Sequence, residues 1–150
     1  GSDHTPFLQN KIPGLLMWHF TDVFYHTDND RIDKVSATTM KNVGVSALTA
    51  AYTLITADEN TASQTVAQVK EDALKRLKTE FDLSKKEIAA GKPVADEKHI
   101  IEVWGKYYVD ALATINTMAV EPKTTRVGSS INGATLAVEK QTQDYLNALK

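Results

Sequence analysis

The feature that most constrains this chain is the spacing of its apolar residues from position 59 onward. Val66, Val69, Ala73, Leu77 and Phe81 recur three or four positions apart, with Leu74 and Ile88 nearby. That period places them along one side of an α-helix; a half-buried strand would need a period of two. The spacing predicts a helix capped by Thr61 or Ser63 and running to Ala90, closed by Gly91 with Pro93 following. A second helix, capped by Asp96, carries a wide stripe of Ile100, Ile101, Val103, Trp104, Tyr107, Tyr108, Ala111, Leu112, Ile115 and Met118, and Pro122 ends it. Lys123 to Ser130 reads as a loop with no core residue beyond Val127. The last helix is expected over Ala134 to Leu149, with Leu136, Val138, Tyr145, Leu146 and Leu149 facing the core.

Residues 1–58 have a different character, richer in aromatics, prolines and histidines. Thr5 to Asn10 predicts a short helix with Thr5 as cap and Pro6 in the first turn. Leu15-Leu16-Met17-Trp18 is an apolar run long enough for one buried strand, and His19 to Asp33 is turn-rich. Ser36 then caps a helix in which Met40, Val43, Ala47, Leu48, Ala51, Leu54 and Ile55 recur at helical spacing, ending near Ala57. The predicted fold is mostly α: one short strand and a helix, the fragment of an α/β fold, followed by an antiparallel helical bundle or hairpin. The helix after Ser36 joins the three long ones in that bundle. A lone strand cannot pair its own backbone groups, so its partners are expected in another chain or upstream of residue 1.

Charge and composition exclude several functions. The formal net charge is -2, and the densest basic run, Lys70 to Lys86, is interrupted by Glu71, Asp72, Glu80 and Asp82. A nucleic-acid surface needs clustered cations, so this run reads as a solvated helix face laced with i,i+4 pairs. With no cysteine in the chain, disulfides and cysteine-ligated metal are ruled out. No apolar run is long enough to span a bilayer.

The stretch Tyr25-His26-Thr27-Asp28-Asn29-Asp30 carries the chemistry. It follows the strand candidate and precedes a helix, the place where open α/β sheets put ligands. Asp22, Asp28, Asp30 and Asp33 lie close enough in sequence to orient an imidazole or neutralise a cation. Taken alone, a loop histidine among turn-forming residues is more often a surface residue than a ligand. Elsewhere, His19 reads as a packed or edge histidine and His99 as exposed. Trp18 and Phe24 read as core before pocket wall, and Trp104, Tyr107 and Tyr108 as bundle core before cofactor stripe.

A second signal adds weight. The chain opens Ser2-Asp3-His4-Thr5-Pro6-Phe7-Leu8, then Lys11-Ile12-Pro13-Gly14-Leu15, and continues to Tyr25-His26-Thr27 and Arg31-Ile32-Asp33-Lys34-Val35. In order and separation this resembles the closing part of an M28 family zinc aminopeptidase, over residues 1 to about 57. The resemblance implies the following. In such enzymes two zinc ions sit at the edge of a mixed sheet, and the histidine of Tyr-His-Thr binds one of them; here that is His26. Asp3, His4 and Tyr25 would line the site, and Asp30 would structure the loop behind His26 through backbone N–H bonds. The general base and the remaining metal ligands belong to motifs that this chain does not contain, so it carries no catalytic residue of its own. The implied function is the C-terminal part of an enzyme that hydrolyses N-terminal peptide bonds, exported to the periplasm or outside the cell. Its partners would be peptide substrate, the remainder of the peptidase domain and, as a further option, a second copy of the chain. Residues 59–150 would be a helical C-terminal extension to a peptidase portion at 1–58. Two alternatives stand beside this: a helical interaction or oligomerisation module with a vestigial peptidase segment, and an M28 relative of the glutaminyl-cyclase kind.

Overall fold

A computed structural model describes residues 2–18, 22–118 and 125–150. It divides into two units, Gly1–Ala51 and Tyr52–Lys150.

The second unit is built from α3 (Glu59–Ala89), α4 (Val94–Thr114) and α5 (Thr125–Ala148), each packed on the other two. Helix α3 begins where Asp58 accepts the Thr61 N–H at 2.7 Å and the Thr61 hydroxyl at 2.7 Å. The cap is therefore Asp58, not Thr61 or Ser63: its carboxylate satisfies an N–H that would otherwise lack a partner in the first turn. At the other end Gly91 takes φ +95°, its N–H bonding Ile88 O at 2.9 Å while the Lys92 N–H bonds Glu87 O at 3.0 Å. This pair of bonds is the Schellman closure expected of a glycine after a helix. The chain then turns through Pro93 directly into α4, whose N-cap is Pro93; Asp96 lies in the first turn instead, where a negative charge meets the positive end of the helix. A short 3-10 turn, Ile115–Thr117, follows α4. Pro122, expected to end that helix, lies outside the described residues.

The core joins Ala62, Val66, Ala73 and Leu77 of α3 to Ile101 and Leu112 of α4 and to Val127, Ile131, Ala134 and Val138 of α5, with Ile115 and Leu149 beside them. Burying each large aliphatic side chain contributes about 1.5–3 kcal/mol, and truncating Leu77, which is fully buried, would cost about 2–5 kcal/mol. Two aromatic contacts fix the helix pairs. Phe81 of α3 stacks on Tyr145 of α5 at 4.2 Å, and the Arg76 guanidinium of α3 lies 3.9 Å over the Trp104 ring of α4 while pairing with Glu80 at 2.6 Å. The Lys70–Lys86 run is the paired face expected of it, with Lys75 on Glu71 at 2.6 Å and Lys78 on Asp82.

Three expectations change here. Helix α5 starts at Thr125, so most of the segment read as a loop is helical, and Val127 and Ile131 bring it into the core. Tertiary burial overrides the poor helix propensity of Gly128, Ser129, Ser130 and Gly133. Leu136 is exposed, because Ala134 and Val138 occupy the inward face beside it. On α4, Ile100, Val103 and Tyr107 are exposed, so the buried stripe is narrower than the run of apolar residues and centres on Ile101 and Leu112, with Trp104 and Tyr108 packed against it.

The first unit holds α1 (Thr5–Gln9), a 3-10 turn (Ile32–Lys34) and most of α2 (Ala37–Ile55). Helix α1 starts one residue earlier than expected, with His4 rather than Thr5 as its cap residue; the Thr5 hydroxyl accepts the Ser2 N–H at 3.2 Å instead. Ser36 caps α2 as its sequence suggests, accepting the Thr39 N–H at 3.2 Å. Yet α2 buries no residue: Met40 is 63% and Leu48 73% exposed, and Ile32 before it 87%. The bundle core comes from α3, α4 and α5 with the adjoining Ile115 and Leu149, rather than from four helices. Among the described residues there is no strand, and Leu15 to Trp18 is irregular chain. The run that reads as a buried strand has no partner to accept its ladder bonds, and a strand exists only as part of a pair.

Candidate functional site

The loop between Asp22 and Ser36 is built from its own side chains. Asp22 Oδ1 accepts the N–H of Phe24 at 2.9 Å and of Tyr25 at 3.2 Å. An aspartate readily makes these bonds two and three residues ahead, forming an Asx turn. Phe24 O then receives both the N–H of Thr27, at 3.0 Å, and its hydroxyl, at 2.6 Å. A second turn continues from Thr27 O to the Asp30 N–H at 3.1 Å, and the Asn29 N–H reaches the Thr27 hydroxyl at 3.3 Å. Arg31 Nε closes back onto Asp28 O at 3.0 Å, and Asp33 pairs with Lys34 at 2.7 Å.

His26 sits third in the turn Phe24-Tyr25-His26-Thr27 with φ +61°, whereas φ of Tyr25 is not positive. That combination belongs to a type II turn, whose third position normally holds glycine because a Cβ is crowded there. A histidine held at this angle costs roughly 1–2 kcal/mol of backbone strain. Strain of this kind persists where the surroundings impose it, and it clusters at functional sites. The imidazole is exposed to solvent and stacks on the Tyr25 ring at 3.9 Å and 20°; Tyr25 in turn meets the edge of Trp18 at 5.3 Å.

Of the residues singled out by sequence, the structure brings Tyr25 and His26 together. Asp3 and His4 lie at the start of α1, Asp3 exposed and His4 half-buried, with His4 Nδ1 enclosed and without a hydrogen-bond partner. No hydrogen bond, ion pair or ring contact joins either of them to His26 among the described residues. The Asp22 carboxylate accepts two N–H bonds in the loop. Asp30 enters the loop through its backbone N–H, and its side chain lines an open cavity of about 320 Å³ with Asp22, Phe24, Lys34 and Met40. Asp22 is one of the four carboxylates that the sequence sets near His26, and an aspartate two residues before a turn is a local signal for an Asx turn. Trp18 and Phe24 are not core: Trp18 is half exposed over a smaller hollow of about 190 Å³ that it shares with Met17, Asp22 and Tyr25. His19 lies outside the described residues, and His99 is exposed at 3.7 Å from Glu102.

Zinc held for catalysis takes about three protein ligands. Among the described residues no three His, Cys, Asp or Glu side chains converge into a group that could hold a metal ion. The described residues by themselves therefore do not make a zinc site. What this loop can do chemically is present one solvent-facing imidazole from a fixed backbone.

Comparison with known proteins adds one finding. The model of peptidase family M28 matches residues 1–53. No curated protein and no solved structure matches the chain. The match spans the whole turn that carries His26 and most of α2, and it stops before α3. Residues 1–53 are thus similar to a segment of peptidase family M28.

Proposed function

We propose that residues 1–58 are the C-terminal portion of a zinc-dependent aminopeptidase domain, and that His26 contributes one of its zinc ligands. The remaining ligands and the general base would come from the rest of that domain, so this chain by itself is inactive. Residues 59–150 would be a helical extension. The substrate would be the N-terminal residue of a peptide, and the enzyme would act in the periplasm or outside the cell.

The observation that carries the reading is the state of His26. It lies in the segment matched to the peptidase family, on a turn that strains its backbone, and its ring nitrogens have no hydrogen-bond partner among the described residues. A second observation supports the need for a larger domain. No described residue before Ala57 is buried, although the segment is rich in large apolar side chains. Each of those forgoes about 1.5–3 kcal/mol by staying in water. A segment that buries none of them is suited to complete a core supplied by other residues.

The test is zinc content and aminopeptidase activity of the full-length protein, compared with its His26→Ala variant. Loss of about one zinc per molecule together with activity supports the reading; unchanged zinc and activity in the variant would refute it.

A second reading, a helical interaction module with a vestigial peptidase segment, is favoured by a different observation: the core of residues 52–150 is closed on itself. A full-length protein that binds no zinc and hydrolyses no peptide, yet captures a partner through its helical unit, would establish it.

A further inference from the structure

The turn that holds His26 has an anchor of its own. The Asp22 carboxylate is bonded to two consecutive N–H groups, those of Phe24 and Tyr25, immediately before the strained residue. On the other side Thr27 closes the turn twice onto Phe24 O. Between these two clamps lies a non-glycine residue in the left-handed region, with φ +61°. The Tyr25 ring lies nearly parallel to the imidazole at 3.9 Å, so the orientation of Tyr25 and that of His26 are one geometry.

From this arrangement we infer that Asp22 is a positioning residue for His26: its carboxylate fixes the Phe24–Thr27 turn, which holds the imidazole in the left-handed position and against the Tyr25 ring. The inference rests on the reading above, in which the His26 imidazole is the working group of the segment. Neither Thr27 bond needs the residue between them to be left-handed, since turns with a negative φ at the third position make the same closing bond. The Asp22 bonds fix the peptide planes on either side of Phe24, and so set how the chain enters the turn. Without them the Phe24 and Tyr25 N–H groups, which are exposed, bond to water, and the turn relaxes toward an unstrained form in which the two rings part. An asparagine at this position would preserve the device, because its side-chain oxygen accepts the same two bonds at the same reach.

The inference is tested by nuclear magnetic resonance on the full 150-residue chain. The chain has four histidines, so the ring C–H signals that vanish in His26→Ala identify those of His26. In the native chain these protons should lie upfield of the other histidines, displaced by the face of Tyr25. In Asp22→Ala the displacement should be lost while the helical signals of residues 52–150 stay in place, and in Asp22→Asn it should be retained. Displacement that survives Asp22→Ala overturns the inference, as does displacement lost equally in both variants or absent from the native chain. The ring signals are read without metal, so their failure counts against the role of Asp22 alone. Zinc retained by full-length His26→Ala counts instead against the ligand reading.

Discussion

Replacing Gly105 by alanine measures how closely α4 and α5 approach. A Cβ at this buried position would stand 2.4 Å from Thr142 Oγ1, 2.7 Å from its Cγ2 and 3.1 Å from its Cβ. Carbon atoms in contact prefer about 3.5–4.0 Å, so two of these approaches are clashes. Thr142 cannot turn aside freely, because its hydroxyl donates to Val138 O at 2.8 Å. Forcing an extra carbon into a packed interface costs about 1–3 kcal/mol. Against this, alanine is favoured over glycine inside a helix by about 0.8–1.0 kcal/mol. The repulsion wins, and Gly105→Ala should lose about 1 kcal/mol net. Thr142→Ala in that background removes the two offending atoms and leaves a 3.1 Å contact that the helices can take up by a small shift. The double variant should therefore be more stable than Gly105→Ala alone, with a coupling of about 1–2 kcal/mol between the sites. Urea unfolding followed by helical circular dichroism reads all four corners of the cycle. Strictly additive effects, or a Gly105→Ala protein more stable than the original, would refute the close approach.

Three further outcomes follow from the same structure. Gly91→Ala should destabilise by about 1–2 kcal/mol in thermal unfolding; no atom lies within 4 Å of the added carbon, so the whole cost is backbone strain at φ +95°. The Asp58 carboxyl is held below its ordinary value of 3.8 by the Thr61 N–H and hydroxyl. Its contribution to the start of α3 should be complete above that ordinary value and fade as pH falls through the lower folded one, a midpoint that carboxyl chemical shifts would show. Expressed alone, residues 52–150 should unfold cooperatively without binding a hydrophobic dye. Residues 1–51 alone should bind the dye and show no cooperative transition, because none of their described residues is buried.

Much of the helical unit was legible from spacing alone. Val66, Ala73 and Leu77 mark the inner face of α3, and Gly91 with Pro93 marks its end, because the signals are local and the packing agrees with them. The start of α5 was not legible. Gly128, Ser129, Ser130 and Gly133 are weak helix formers, and what makes them helical is the burial of Val127 and Ile131 against other helices. Leu15 to Trp18 failed in the opposite way: an apolar run states that something must cover it, but not that a strand will form without a neighbour. In the loop, the place of His26 between an apolar run and a capped helix was readable from its motif. Its left-handed backbone was not, since the identity of residue 26 does not by itself set φ.

The most direct measurement is anomalous scattering at the zinc edge from crystals of the full-length protein. The account predicts a zinc peak about 2.0–2.1 Å from an imidazole nitrogen of His26, with acidic and histidine ligands from preceding residues completing the set. A peak coordinated wholly by other side chains, with the His26 ring turned away from it, would contradict the account.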